Sequence, residues 1–276
     1  MATFRSNDDL EIYYEEHGKG DPVVLLSGIM MNTASWAQHI PVLSRHVRLI
    51  LIDLRDQGRS QKANGEYRLD VHVQDVIGLL DTLELPNAHL VGLSYGGQVA
   101  QRVAVAHPDR VRTLTLANAN HYISNHLAEI GRAWEVAANL NDGERFFQLA
   151  VPFIYSREFY AKNLDMLHER QAMFKSLLTK EWFDGFGRLC RSTMGFRVSD
   201  EDLNGLSMPT LLIGADDDMI TPVRLMEEMY DAIPQCEFIT LPNAGHGAFL
   251  ERAGEFLTVV VGFLLKHSKM PDEMPS

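Results

Sequence analysis

The stretch Gly92-Leu93-Ser94-Tyr95-Gly96-Gly97 constrains this chain more than any other. The apolar run Ala88 to Val91 precedes it and reads as a buried strand, and Gln98 to Ala106 follows and reads as a helix. Strand, Gly-x-Ser-x-Gly and helix, in that order, describe a turn tight enough to strain the serine backbone and lift its hydroxyl above the sheet edge. Gly92 and Gly96 suit it because a Cβ at either position would crowd the helix against the strand. The turn also aims the Tyr95 backbone N–H, at the helix N-terminus, toward any charge that develops beside Ser94. A plain small-residue turn would explain the glycines too, so the reading depends on partners elsewhere in the chain.

The surrounding pattern is an alternation of strands and helices. Phe4 to Gly18 alternates around a turn at Ser6 to Asp9 and reads as a hairpin, with Leu10, Ile12 and Tyr14 on one face. Val23–Leu26, Val47–Leu54, Ala88–Val91 and Arg112–Ala117 read as buried strands, with helices predicted over Trp36–Leu43, Asp70–Leu83 and Gln98–Ala106. Near-continuous apolar strands separated by helices imply a parallel sheet covered on both faces. The alternation stops after Asn120 and resumes at Pro209–Ile213. The roughly 85 residues between far exceed the usual connection of about 2–6. They are rich in Phe, Tyr, Trp and Met, including Trp134, Phe147, Phe174, Trp182 and Phe186, and read as an inserted helical cap. The expected division is a core of residues 1–120 and 206–276 with a cap of 121–205. A last strand over Glu237–Leu241 leads to a helix over Gly254–Lys266, and the tail His267–Ser276 reads as disordered.

A serine hydroxyl is a weak nucleophile at neutral pH. It needs a base within hydrogen-bond reach and an acid to orient that base, both on loops at the carboxyl ends of strands. His246 lies just past the last strand in Pro242-Asn243-Ala244-Gly245-His246-Gly247 and is the candidate base. His39, His46, His107 and His267 sit in helical or polar surroundings and read as surface residues. The acid lies in Gly214-Ala215-Asp216-Asp217-Asp218, where three consecutive carboxylates leave the choice open. A second oxyanion donor, beside the Tyr95 N–H, is the Ile29 N–H in Ser27-Gly28-Ile29-Met30-Met31. Met30 and Met31 could line an acyl pocket or only pack the loop.

Together these residues resemble the alpha/beta-hydrolase fold family over about residues 4–266. The resemblance rests on the elbow Gly92–Gly97, the loop Ser27–Met31, the segment Asp53-Leu54-Arg55-Asp56-Gln57-Gly58-Arg59-Ser60, the acid loop and Asn243–His246. It implies an α/β fold with an eight-stranded, mostly parallel, doubly wound sheet, a helical cap over the site, and no cofactor or metal. Related acid loops have the spacing Asp-x-x-x-Pro, which Asp218 to Pro222 satisfies, whereas a count from Gly214 favours Asp217; Asp218 is preferred. The chain departs from the family in having Ser27 where His is common, and Asp56 where Gly is common. Ser27 to Trp36 is also similar to the matching loop of the hydroxyacyl transferases that make rhamnolipid and polyhydroxyalkanoate precursors.

A nucleophile, base, acid and two oxyanion donors predict attack on an acyl carbon and a covalent acyl-enzyme. The first reading is a carboxylic-ester or lactone hydrolase with a small-molecule acyl substrate. The alternatives are an acyltransferase moving a hydroxyacyl group from a thioester, and a non-catalytic ligand receptor on the same fold. Carbon–carbon hydrolases of aromatic degradation usually place Trp after the histidine; here Gly247-Ala248-Phe249 follows. The net charge of −12 disfavours nucleic acid and anionic membrane as partners. Cys190 and Cys236 have no metal-ligand spacing, and the first residues lack a signal-type apolar region, so a cytoplasmic protein is expected. Nothing in the sequence sets an oligomeric state.

Overall fold

The computed structural model describes residues 2–268; most of the tail expected to be disordered lies outside the described residues. Eight strands form one sheet: β1 Ala2–Arg5, β2 Glu11–His17, β3 Pro22–Leu26, β4 Arg48–Ile52, β5 Ala88–Leu93, β6 Val111–Ala117, β7 Thr210–Ala215 and β8 Cys236–Leu241. Their order is β1-β2-β4-β3-β5-β6-β7-β8. The β1–β2 hairpin pairs antiparallel internally and with β4, and every other neighbouring pair is parallel. The eight-stranded, mostly parallel sheet expected from the sequence is therefore borne out.

The helices are α1 Ile40–Leu43, α2 Asp70–Thr82, α3 Tyr95–Ala106, α4 Asn125–Ala138, α5 Gly143–Ala150, α6 Arg157–Leu177, α7 Lys180–Ser192, α8 Asp200–Asn204, α9 Val223–Ala232, α10 Ala248–Glu251 and α11 Ala253–His267. Side chains alternate across a strand, so each strand supplies both faces of the sheet. Val24, Leu26, Ile50, Ile52 and Leu90 pack against Val73 and Val76 of α2, Val99 and Val103 of α3, and Met226 of α9. Val23, Leu25, Leu49, Leu51 and Val91 face the other way, onto Leu43 of α1 and Phe256, Val260 and Phe263 of α11. This is the doubly wound arrangement, in which neither apolar face of the sheet meets water.

The single helix predicted over Trp36–Leu43 is instead a 3₁₀ turn, Thr33–Trp36, followed by α1. The Asn32 side chain caps the turn at the Ala34 N–H, and Pro41 sits in the first turn of α1, where a missing N–H costs nothing. Between β6 and β7 the chain forms α4 to α8. Trp134, Phe146, Phe183 and Phe186 make a separate apolar cluster there, which Ile29 and Met30 of the β3 loop join from below. Phe196, Val198 and Leu203 return to the cluster beneath the sheet. The long helix α6 kinks at Asn163, which leaves helical geometry while its side chain donates to the Phe159 carbonyl. No described helix is long and apolar enough to cross a membrane.

Candidate active site

Four loops at the carboxyl ends of β3, β5, β7 and β8 converge on one point. At the end of β5, Ser94 has φ 52° and ψ −116°, a conformation an L-residue adopts only when its surroundings impose it. The imposition comes from packing. A Cβ on Gly92 would lie 2.5 Å from the Gly96 carbonyl oxygen, and one on Gly96 would overlap the Leu26 carbonyl of β3. Two glycines thus let α3 begin directly against β5 and β3, and the serine is left at the apex of the bend.

The Ser94 Oγ is 2.8 Å from His246 Nε2, and His246 Nδ1 is 2.8 Å from Asp218 Oδ2. A carboxylate can only accept, so Nδ1 carries the proton and Nε2 is left to accept from the serine hydroxyl. Asp218 also accepts at Oδ1 from the N–H groups of Ile220 and Thr221, at 2.8 and 2.9 Å. At Oδ2 it accepts from the Thr221 hydroxyl at 2.7 Å and Asn118 Nδ2 at 2.8 Å. Burial alone raises the Asp218 carboxyl, but His246, the Thr221 amide and Asn118 more than offset that and hold it below the ordinary carboxylate range. Asp218 therefore stays ionised and faces an imidazole it can stabilise as a cation.

The neighbouring carboxylates go elsewhere. Asp216 is exposed and accepts from the Ala244 N–H, and Asp217 accepts from the Arg157 N–H at the start of α6. The structure brings Asp218, and neither of these, to His246. The remaining sequence-predicted pair, Ile29 and Tyr95, flanks Ser94: Ile29 follows β3 and Tyr95 opens α3. The Gly28 carbonyl accepts from Gln57 Nε2 at 2.6 Å and from the Met31 N–H at 3.0 Å, which together hold that peptide so the Ile29 N–H faces the opposite way. Ser27, at the position where histidine is common in the family, accepts from the Trp36 indole N–H at 2.9 Å and so ties the loop to the turn that follows it.

Three supporting residues escaped the sequence reading. Asn118 adopts a left-handed conformation, φ 45°, just past β6, a position where Asn is tolerated, and this turns its amide onto Asp218. Gln57 lies in the Asp53–Ser60 segment, which drew attention only as a family match. His39 was expected at the surface; it is fully buried, and its Nε2–H donates to the Phe249 carbonyl at 2.8 Å. Its ring packs against Trp36, Phe249 and Phe256, so an apolar cage, rather than solvent, surrounds it and lowers its basicity. It thereby braces α10, directly behind the His246 loop.

Asp56, a departure from the family pattern, is also in a left-handed conformation, φ 67°. Its carboxylate accepts from Arg188 of α7 through both oxygens (2.6 and 3.0 Å), from the Tyr67 hydroxyl and from the Ala63 N–H. Arg191, one turn on, pairs with Glu66 and Glu135. The two arginines thus bind α7 to α4 and to the loops beneath it.

Two cavities open at Ser94. The larger, 720 Å³, lies under the helical segment and is lined by Phe147, Phe174, Trp182 and Phe186 with His246 and Met31. The smaller, 360 Å³, is lined by Tyr95, Gln98, Leu127, Ile220 and Thr221. Among the described residues no group of three or more His, Cys, Asp or Glu side chains is arranged to hold a metal ion.

Comparison with known proteins identifies the fold family. A family model described as alpha/beta hydrolase fold matches residues 21–253. Among solved structures, an alpha/beta hydrolase enzyme from a Medee basin deep-sea metagenome library is 29% identical and superposes with a TM-score of 0.93, over 99% of this chain and 100% of that one. A thermophilic esterase from Thermogutta terrifontis is 25% identical with a TM-score of 0.86, over 97% and 99%. Among curated relatives, the 2-hydroxy-6-oxo-6-(2'-aminophenyl)hexa-2,4-dienoic acid hydrolase of Metapseudomonas resinovorans is 26% identical over 97% of this chain and 92% of its own length.

Proposed function

The chain belongs to the alpha/beta-hydrolase fold family, and on that premise we propose that it hydrolyses a small carboxylic ester or lactone with Ser94 as nucleophile, His246 as base and Asp218 as acid. The observation that carries the assignment is the continuous hydrogen-bonded line from Ser94 Oγ through His246 to Asp218, with 2.8 Å at each step. As Ser94 Oγ bonds to the acyl carbon, its proton passes to His246 Nε2, and the imidazolium is stabilised by Asp218. The carbonyl oxygen takes the negative charge and is received by the N–H groups of Ile29 and Tyr95. Collapse breaks the bond to the alcohol oxygen, which leaves with the proton from His246. Water then repeats the sequence: His246 takes its proton, its oxygen bonds to the acyl carbon, and Ser94 is released with the acid product.

The helical segment 121–205 acts in this proposal as a cap whose aromatic side chains exclude bulk water from the large cavity. Ester cleavage is preferred over carbon–carbon cleavage because Gly247, Ala248 and Phe249 follow His246, with no tryptophan there. Acyl transfer would use the same acyl-enzyme with an alcohol or amine in place of water. The test is a panel of p-nitrophenyl esters with acyl chains of increasing length, assayed on wild type and Ser94→Ala. Hydrolysis that disappears in Ser94→Ala supports the proposal; turnover retained in that variant refutes it.

A further inference from the structure

The Tyr95 backbone N–H is one of the two oxyanion donors in the hydrolase reading, and the side chain of the same residue has a partner of its own. The Tyr95 hydroxyl is 2.8 Å from Ser192 Oγ, and both residues are buried. Ser192 Oγ is also 2.7 Å from the Leu189 carbonyl, which can only accept. The serine has one proton and gives it to that carbonyl, so the tyrosine is the donor between the two hydroxyls. Burial pushes the Tyr95 phenol above its ordinary range, so it keeps the proton it donates at neutral pH. Ser192 is the last residue of α7, the cap helix that walls the large cavity with Trp182, Phe186 and Leu189. One residue therefore connects cap and elbow: its hydroxyl is fixed to α7, and its N–H stands beside Ser94.

The ring between these two ends is held as well. His72 of α2 is fully buried and lies edge-on to Tyr95, with 5.5 Å between ring centres and 84° between planes. It meets Tyr67 in the same way, at 5.4 Å and 89°. The Tyr67 hydroxyl donates to Asp56, which also accepts from Arg188 of α7. The Ser192 carbonyl accepts from the Leu69 N–H at 3.1 Å. The C-terminal half of α7 is thus seated on the core at Arg188 and at Ser192, and the second seat reaches the residue that bears an oxyanion donor. The first N–H groups of a helix have no partner within it, so no hydrogen bond inside α3 fixes the direction of the Tyr95 N–H. That direction follows from the strained Ser94 on one side, Gly96 packed on the Leu26 carbonyl on the other, and the anchored side chain.

We propose that the Tyr95 side chain is a positioning group: its bond to Ser192 sets the oxyanion donor in register with the cap helix that walls the substrate cavity. This rests on the hydrolase reading above. Tyr95→Phe deletes the bond and leaves the ring and the backbone N–H in place, and Ser192→Ala deletes it from the other side. A donor used fully only in the transition state acts on kcat and not on KM. The experiment measures steady-state hydrolysis of p-nitrophenyl acetate by wild type, both single variants and the double variant, with rates expressed per mole of folded protein. In each single variant kcat falls roughly three- to tenfold, the range one neutral hydrogen bond can supply, and KM stays within about twofold. The double variant falls no further than the lower single, because both changes remove the same bond. A kcat at the wild-type value in both single variants means that the bond serves stability alone, and it overturns the proposal. A loss confined to KM, or losses that multiply in the double variant, overturns it too. If Ser192→Ala fails to fold, Tyr95→Phe decides by its kcat and KM, since it removes one oxygen from a retained ring. In all these outcomes wild type still hydrolyses the ester, and the hydrolase reading stands. Turnover by wild type that survives in Ser94→Ala overturns both.

Discussion

Asp56→Ala removes the carboxylate that ties α7 to the loop beneath it. The Asp56 side chain is fully buried and that of Arg188 is 14% exposed, so the variant leaves a guanidinium largely cut off from water without its counter-charge. Removing one partner of a buried pair costs about 3–5 kcal/mol, and the small exposure of Arg188 moves the expectation to the lower end. The Tyr67 hydroxyl and the Ala63 N–H also lose their acceptor, each a loss of about 1 kcal/mol if water does not replace it. Alanine does not relax the left-handed backbone, so no gain offsets these terms. The expected loss is therefore about 3–5 kcal/mol, a large share of the roughly 5–15 kcal/mol that keeps a domain folded. Urea unfolding at neutral pH measures it. The double variant with Arg188→Met should lose much less than the sum of the single losses, because removing both charges leaves no buried charge unpaired. A loss below about 1 kcal/mol for Asp56→Ala, or single effects that add within about 0.5 kcal/mol, refutes the reasoning.

Asp218→Asn should lower kcat by roughly 10³–10⁴, because the amide cannot hold His246 in the required tautomer or stabilise its cation; rates for Asp216→Asn and Asp217→Asn should stay within a few-fold of wild type. Steady-state kinetics of the three variants separates them, and an unimpaired Asp218→Asn enzyme removes it from the site. Gly96→Ala should lose more than about 3 kcal/mol, since its Cβ overlaps the Leu26 carbonyl of a central strand that cannot retreat; thermal unfolding reads the loss. Gln57→Leu removes one of the two donors that orient the Gly28 carbonyl, leaving the Met31 N–H at 3.0 Å, and should lower kcat with little change in KM if the Ile29 N–H acts on the transition state. The pH dependence follows from Asp218. Its folded-state pKa is depressed, so its contribution to stability is present above the unfolded carboxylate value near 3.9 and fades as pH falls through the lower folded value. Asp218→Asn should therefore flatten the acid limb of a stability-versus-pH curve; an unchanged limb counts against this assignment.

The parts of this molecule that local chemistry dictates were legible in the sequence. The elbow around Ser94 announces itself because the glycines, the strand and the helix are contiguous, and the parallel sheet follows from apolar runs that alternate with helical spacing. His246 could be singled out by its loop. Choosing among Asp216, Asp217 and Asp218 turns on which way three adjacent side chains point, and consecutive residues in a loop point differently for reasons set by distant partners. Here those partners are the Ala244 and Arg157 amides and His246. Asn118 and Gln57 were missed because each acts across the fold, 100 and 29 positions along the chain from its partner. A polar residue ending a buried strand, as Asn118 does, was the available signal. His39 was misread because a histidine in a short predicted helix gives no local sign of which way it faces, while its cage comes largely from Phe249 and Phe256, more than 200 positions away.

The central claim is a covalent acyl group on Ser94. The most direct measurement mixes wild-type protein with p-nitrophenyl acetate, quenches in acid within the first turnovers, and maps the added mass by peptide mass spectrometry. An acetyl group on the peptide containing Ser94, absent in Ser94→Ala and decaying as hydrolysis proceeds, is the predicted result. Turnover with no adduct at Ser94, or with the adduct on another residue, would contradict the account.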